Sequence, residues 1–124
     1  MAEYQPGICN IGKNEIRKRY ILAIVGFVIS AIVSYAILSF SLPKWALLFS
    51  FVALLIGFEG LYQGYFRFCA GFAAAGVYDF TGSGGSRSKV TNAKDHREDM
   101  RKAMRIHIYA IISSVIITVI YFVL

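Results

Sequence analysis

The chain has 124 residues, of which 57% are hydrophobic and only 16% charged, with a formal net charge of +6. That balance excludes an ordinary soluble domain, which is rarely so apolar. The length leaves no room for a separate catalytic domain beside one small helical bundle. The basic residues flank long apolar runs, so membrane topology accounts for them and no nucleic-acid partner is expected.

Met1 to Arg19 is a polar lead with a turn at Gln5-Pro6-Gly7, then Cys9-Asn10-Ile11-Gly12 and a basic triplet at 17–19. Asn14 is placed to cap a helix running on into the membrane. Tyr20 to Leu42 carries no charge and is long enough to cross a hydrocarbon core of roughly 30 Å. It is too long for a signal-peptide core, so an uncleaved span is expected. Gly26, Ser30 and Ser34 recur every fourth residue and give it a small-residue seam. Pro43-Lys44 then forms a short joint, making the first two spans an antiparallel hairpin.

Trp45 to about Phe66 is the second span. Gly57, Gly60 and Gly64 form a close-approach seam along it. Glu59, Gln63 and Arg67 also recur every fourth residue and make a polar stripe on a different face. The helix therefore has two faces that need partners. Phe68 to Phe80 either extends this helix or bends at Gly71 or Gly76, and Thr81 to Ser88 reads as a flexible Gly/Ser linker without phosphate-loop spacing. From about Thr91 one helix runs to the end, capped by Thr91 or Asn92. Glu98 and Asp99 are spaced for surface pairs with Arg101 and Lys102. Its apolar part, 106–124, is the third span, with Ala110, Ser114 and Thr118 as its seam.

The expected fold is therefore an all-α integral membrane domain over 1–124, with spans at about 20–42, 45–66 and 106–124 and a loop at about 67–105. All the Lys and Arg residues except Lys44 lie before the first span or between the second and third. The positive-inside rule then sets the N-terminus and the loop in the cytoplasm, the C-terminus on the far side, and the third helix reaching out into the cytoplasm. The setting expected is a prokaryotic cytoplasmic membrane, and membrane lipids are expected neighbours.

Glu59 is costly inside a membrane and has three readings: an ion pair with Arg67 or another arginine, a contact with a partner subunit, or proton carriage. A structural or subunit contact is preferred, with Gln63 as the simplest hydrogen-bond partner. Cys9 and Cys69 are candidates for a thiol pair or for ligating a soft metal such as Cu(I) or Zn(II), against the simpler reading of two free cysteines. His96 and His107 stand about 16 Å apart along one helix and cannot share a metal. Arg97, Arg101, Lys102 and Arg105 can hold anionic lipid headgroups weakly. No cofactor is implied, and no nucleophile–base pair or paired carboxylates are readable.

Cys9-Asn10-Ile11-Gly12, Glu15-Ile16, Phe68-Cys69 and Gly76-Val77-Tyr78-Asp79-Phe80 together resemble a group of small, uncharacterised prokaryotic membrane proteins. That group has a C-N-I-G start, three spans and an F-C…G-V-x-N/D-F segment after the second. The resemblance implies a layout and links the two cysteine segments, but it brings no activity. Asp79 stands where Asn is expected. The function expected first is a non-catalytic accessory subunit of a larger membrane complex. By analogy with other small subunits, its host would be a membrane oxidoreductase or monooxygenase. The alternatives are metal or thiol handling through Cys9 and Cys69, and a proton- or ion-conducting homo-oligomer centred on Glu59.

Overall fold

The computed structural model describes residues 3–124. In chain order it contains α1 (Lys13–Ser39), a 3-10 turn (Lys44–Ala46), α2 (Leu47–Phe66), α3 (Ala70–Ala75), β1 (Val77–Asp79), β2 (Arg87–Lys89) and α4 (Ala93–Val123). Three of these helical stretches, Lys13–Ser39, Lys44–Phe66 and Ala93–Val123, are long and apolar enough to cross a membrane. Large apolar side chains such as Ile24, Val28, Ile32, Phe49, Ile112 and Val119 point outwards. That is the arrangement of helices solvated by hydrocarbon rather than by water.

The helices form a flat layer with α2 in the middle. α2 packs against α1 on one side and α4 on the other, while α1 and α4 scarcely touch. The α1 face of α2 is its small-residue face: Ser50, Ala53, Gly57, Gly60 and Gly64 are buried there, opposite Ala23, Gly26, Ser30 and Ser34. The two seams expected from the sequence are thus used against each other. A Cβ on Gly26 would fall 2.6 Å from Gly57 N and 2.8 Å from Ala53 O, and one on Gly60 would fall 2.6 Å from Arg19 O. The backbones touch, and only glycine fits there.

Further along the same seam the Ser50 hydroxyl lies 2.8 Å from that of Ser30 and 2.6 Å from that of Ser34. Ser50 also reaches the Ser30 carbonyl at 3.4 Å. If Ser30 and Ser34 both donate to Ser50, Ser50 donates to that carbonyl, and all three buried hydroxyls are partnered without water.

On the opposite side of α2, Tyr62 and Phe66 pack on Tyr109 of α4, and the Tyr62 hydroxyl meets that of Ser113 at 2.6 Å. Ala103, Ile106, Ala110 and Ser114 are the buried residues of α4 here, so the third seam is also used within the chain in part. At the end opposite the loop, Lys44 donates to the Phe122 carbonyl at 2.6 Å. It thereby supplies a cation and a donor to the unpaired carbonyls of the α4 C-terminus.

The chain is mostly helical, as the all-α expectation has it, but the loop also contains a short pair of strands. α2 stops at Arg67, which adopts the left-handed conformation (φ 56°). Phe68 N–H donates to Gln63 O at 2.9 Å and Arg67 N–H to Gly64 O at 3.2 Å, which closes the helix in a Schellman motif. A non-glycine residue in this conformation costs about 1–2 kcal/mol. After α3, Gly76 is also left-handed (φ 71°) and turns the chain into β1, which pairs antiparallel with β2.

The Gly/Ser stretch is therefore the tip of a hairpin and not a free linker. Its Ser83 hydroxyl accepts from Lys13 N–H at 2.6 Å and caps α1 from outside. That displaces Asn14 from its expected role, because Asn14 lies inside the helix, whose N-cap is Gly12. Asn92 caps α4 as expected, accepting from Lys94 N–H at 2.8 Å.

The packing makes a sharp prediction about two glycines. Gly26→Ala should lower the thermal unfolding midpoint in mild detergent, since backbone must move to admit the methyl group, at a cost of about 1–3 kcal/mol. Gly71→Ala should be neutral or stabilising, because its Cβ would meet only Cys69 Sγ, at 3.7 Å, in a helix that favours alanine. Equal midpoints for the two variants would contradict the close contact.

Candidate functional site at the basic end of the bundle

The segment before α1 is a strap laid across the loop, held at three places. The first is Asn10, which is fully buried. Its Oδ1 accepts from Cys69 N–H at 2.7 Å and its Nδ2 donates to Cys69 O at 3.0 Å. Its own N–H donates to Arg67 O at 3.2 Å, and its carbonyl accepts from Asp79 N–H at 3.0 Å. One side chain thus imitates a strand rung towards the stretch after α2 while the main chain beside it pairs towards β1. Gly12 N–H continues the ladder by donating to Asp79 O at 3.0 Å, and Ile11 bridges Asp79 in parallel register.

The second is Asp99, also fully buried. It accepts from the Tyr4 hydroxyl at 2.7 Å and from Gly7 N–H at 2.7 Å. Burial first, then the Asp99 bond and charge, raise the Tyr4 hydroxyl well above its ordinary range, so it stays a donor. The surface pairs expected between Glu98 or Asp99 and the cations one turn on are not formed among the described residues. Asp99 faces inwards to the strap, and Lys102 lies 4.0 Å over the Phe66 ring. The third is the Tyr4 ring, stacked on Tyr78 with centroids 4.6 Å apart.

The two cysteine segments meet through Asn10, but each thiol has its own contact. Cys9 donates to the Ile11 carbonyl, with 3.6 Å between sulfur and oxygen, and burial raises its pKa, which keeps it a thiol. Cys69 Sγ accepts from Arg19 at 3.1 Å, and Arg19 also pairs with Glu15 at 3.3 Å. Both cysteines are free. Among the described residues no group of three or more His, Cys, Asp or Glu is arranged to hold a metal ion.

Asp79 makes a local turn, accepting at one carboxylate oxygen from Thr81 N–H at 2.9 Å and from the Thr81 hydroxyl at 2.5 Å. The hydroxyl bond is the main reason its carboxyl sits below the usual carboxylate range.

A second polar group lies deeper, about 10 Å inside the end of α2 by helical rise. Gln63 donates to Glu59 Oε2 at 2.9 Å, as the sequence suggested. The other oxygen meets His107 Nδ1 at 2.5 Å. Arg67 takes no part, because the left-handed residue at the helix end leaves the stripe. Reasoning on the sequence missed His107. The signal was available: His107 follows Ile106 and lies one turn from Ala103 and Ala110, so it flanks the buried side of α4. The Glu59 side chain is 19% exposed and that of His107 46%, so the pair opens onto the flank of the α2–α4 contact.

No family model, curated protein or solved structure matches the chain.

Asn10→Ala should destabilise the strap by about 2–3 kcal/mol, chiefly by stranding Cys69 N–H. The Cys69 carbonyl keeps its bond from Ala73 N–H at 3.0 Å. Hydrogen exchange over residues 3–12 and 67–80 should rise together. Protection lost in only one of these segments would show that Asn10 does not join them.

The lowered Asp79 carboxyl gives a pH dependence of defined sign. Its contribution to stability is complete above the unfolded carboxylate range and is lost as pH falls below about 4 towards the folded value. Asp79→Asn keeps an oxygen for both bonds, so it should fold at neutral pH and show a smaller acid-induced drop in unfolding midpoint than wild type.

Proposed function

We propose that the chain is a non-catalytic accessory subunit of a larger membrane protein complex, inserted with its N-terminus and strapped loop on the cytoplasmic side. The observation that carries this reading is the Glu59–His107 pair. It is ionisable, set within the apolar part of the helices, and half open on an outer flank. In lipid such a pair would be poorly solvated, and a polar surface of a neighbouring subunit would complete it. The flat layer supports the same reading, since among the described residues it encloses no pathway and leaves α1 and α4 each with α2 as its one neighbour among the three long helices. The two internally paired glycine and serine seams add no support, because their partner is already present.

The thiol- or metal-handling alternative has less behind it. Cys9 and Cys69 are each engaged elsewhere, and no third donor joins them among the described residues. The proton-conducting alternative has a single carboxylate–imidazole pair and, among the described residues, no chain of hydrogen-bonded groups leading on beyond Gln63.

Purification of the full chain from its own membrane in mild detergent, followed by native electrophoresis and mass spectrometry, tests the proposal. A co-migrating membrane protein is expected. The double variant Glu59→Gln with His107→Leu should fold with an unfolding midpoint near that of wild type and lose that companion. Migration of the wild-type chain only as a free monomer or homo-oligomer would overturn the reading.

A further inference from the structure

A groove of about 720 Å³ runs along one flank of the α1–α2 contact at the basic end. Its mouth is lined by Lys13, Arg17 and Arg67, and deeper in by Tyr65, Ile21 and Ile24. No carboxylate lines it. The nearby Glu15 is occupied by Lys18 and Arg19, so among the described residues none of the three mouth cations has an ion-pair partner. Along α1 the lining changes from cationic to apolar over eleven residues, about 16 Å by helical rise. Charge at the mouth, an aromatic ring with a polar tip below it, and aliphatic side chains beyond match the order of groups in a phospholipid.

Arg67 adds an independent observation. It holds a left-handed conformation at which glycine would sit without strain. Its structural contacts here are made by its backbone, N–H to Gly64 and carbonyl to Asn10. Nothing in the helix cap uses the guanidinium, and Arg67 is one of the residues lining the groove. A strained residue whose side chain makes no hydrogen bond or ion pair among the described residues points to a function for that side chain.

The basic run singled out in the sequence is a weaker candidate. The shallow surface beside Arg101, Lys102 and Arg105 also contains the Glu98 carboxylate, and Lys102 is engaged over Phe66.

We propose that this groove binds one anionic phospholipid, with the phosphate held among Lys13, Arg17 and Arg67 and an acyl chain lying along Ile21 and Ile24. The site is independent of any partner subunit. Full-length protein in mild detergent, examined by native mass spectrometry, should retain one phosphatidylglycerol in preference to phosphatidylcholine. Arg17→Gln combined with Arg67→Gly should weaken that preference roughly tenfold or more, because two surface cations are lost. The Arg101→Gln/Arg105→Gln variant should keep it.

Arg67→Gly alone separates binding from folding. It should unfold at or above the wild-type temperature, since it relieves the left-handed strain, and still bind the anionic lipid less well. Equal retention of the two lipids by wild type would overturn the proposal. So would equal losses in the groove and control variants. Displacement of bound phosphatidylglycerol by millimolar inorganic phosphate would also overturn it, by making this a site for the free anion.

Discussion

Everything in this molecule depends on α2 burying two unlike faces at once. One face is nearly bare backbone, and helix-to-helix contact there relies on the absence of side chains at Gly26, Gly57 and Gly60. The other carries Glu59, Tyr62, Gln63 and Phe66, and needs a neighbour able to supply hydrogen bonds as well as surface. In hydrocarbon there is little hydrophobic drive to bring helices together, so close packing and internal hydrogen bonds must do it. α1 and α4 divide the two tasks. A helix uniform in character would have no reason to sit in the centre of a flat layer. Placing α2 between unlike neighbours also keeps α1 and α4 apart.

The end of α2 sets the second level of organisation. Terminating a helix through a left-handed arginine turns Phe68 and Cys69 back towards the bundle, where Phe68 and Ala73 are fully buried against Ala103 and Ile106. That turn leaves the Arg67 carbonyl and the Cys69 backbone in need of partners, and Asn10 supplies them. The strap is thus a structural consequence of how α2 stops. Its other anchor, Asp99, lies on the part of α4 that extends beyond the apolar stretch. The long amphipathic beginning of α4 is therefore the platform on which the loop and the N-terminal segment are assembled.

Much of this was legible in the sequence, and the reasons differ by element. The three long helices follow from runs of apolar residues too long for anything else, and the seams follow from fourth-residue spacing of Gly and Ser. The Gln63–Glu59 bond follows from one helical turn. Residues 67–91 were not legible, because their order comes from contacts distant in sequence. Ser83 caps a helix seventy residues earlier, and Asn10 pairs with a backbone fifty-nine residues later. A Gly/Ser composition carries no mark of such partners. Asp99 misled for a related reason: the spacing to Lys102 was right for a surface pair, but the strap offered it two donors at once. The end of the polar stripe was hidden too, since nothing in local propensity announces an arginine in the left-handed region.

The close approach of α1 and α2 has one more consequence. Small residues bring the two axes together along a narrow line, while the larger side chains on either side of it diverge. Grooves on both flanks follow from that geometry. One is the basic-mouthed groove beside Lys13 and Arg17. The other, of about 600 Å³, is lined by residues such as Leu22, Ile29, Phe49 and Ile56 and holds no charged group. Packing alone makes both hollows, and a wholly apolar one suits any lipid tail without choosing among them. What distinguishes the first is its position at the end of the helices, where the α1 N-terminus and the turn after α2 bring three cations to the opening. Selectivity for an anionic headgroup therefore arises from how the two helices begin and end, and the glycine seam provides only the space beneath it.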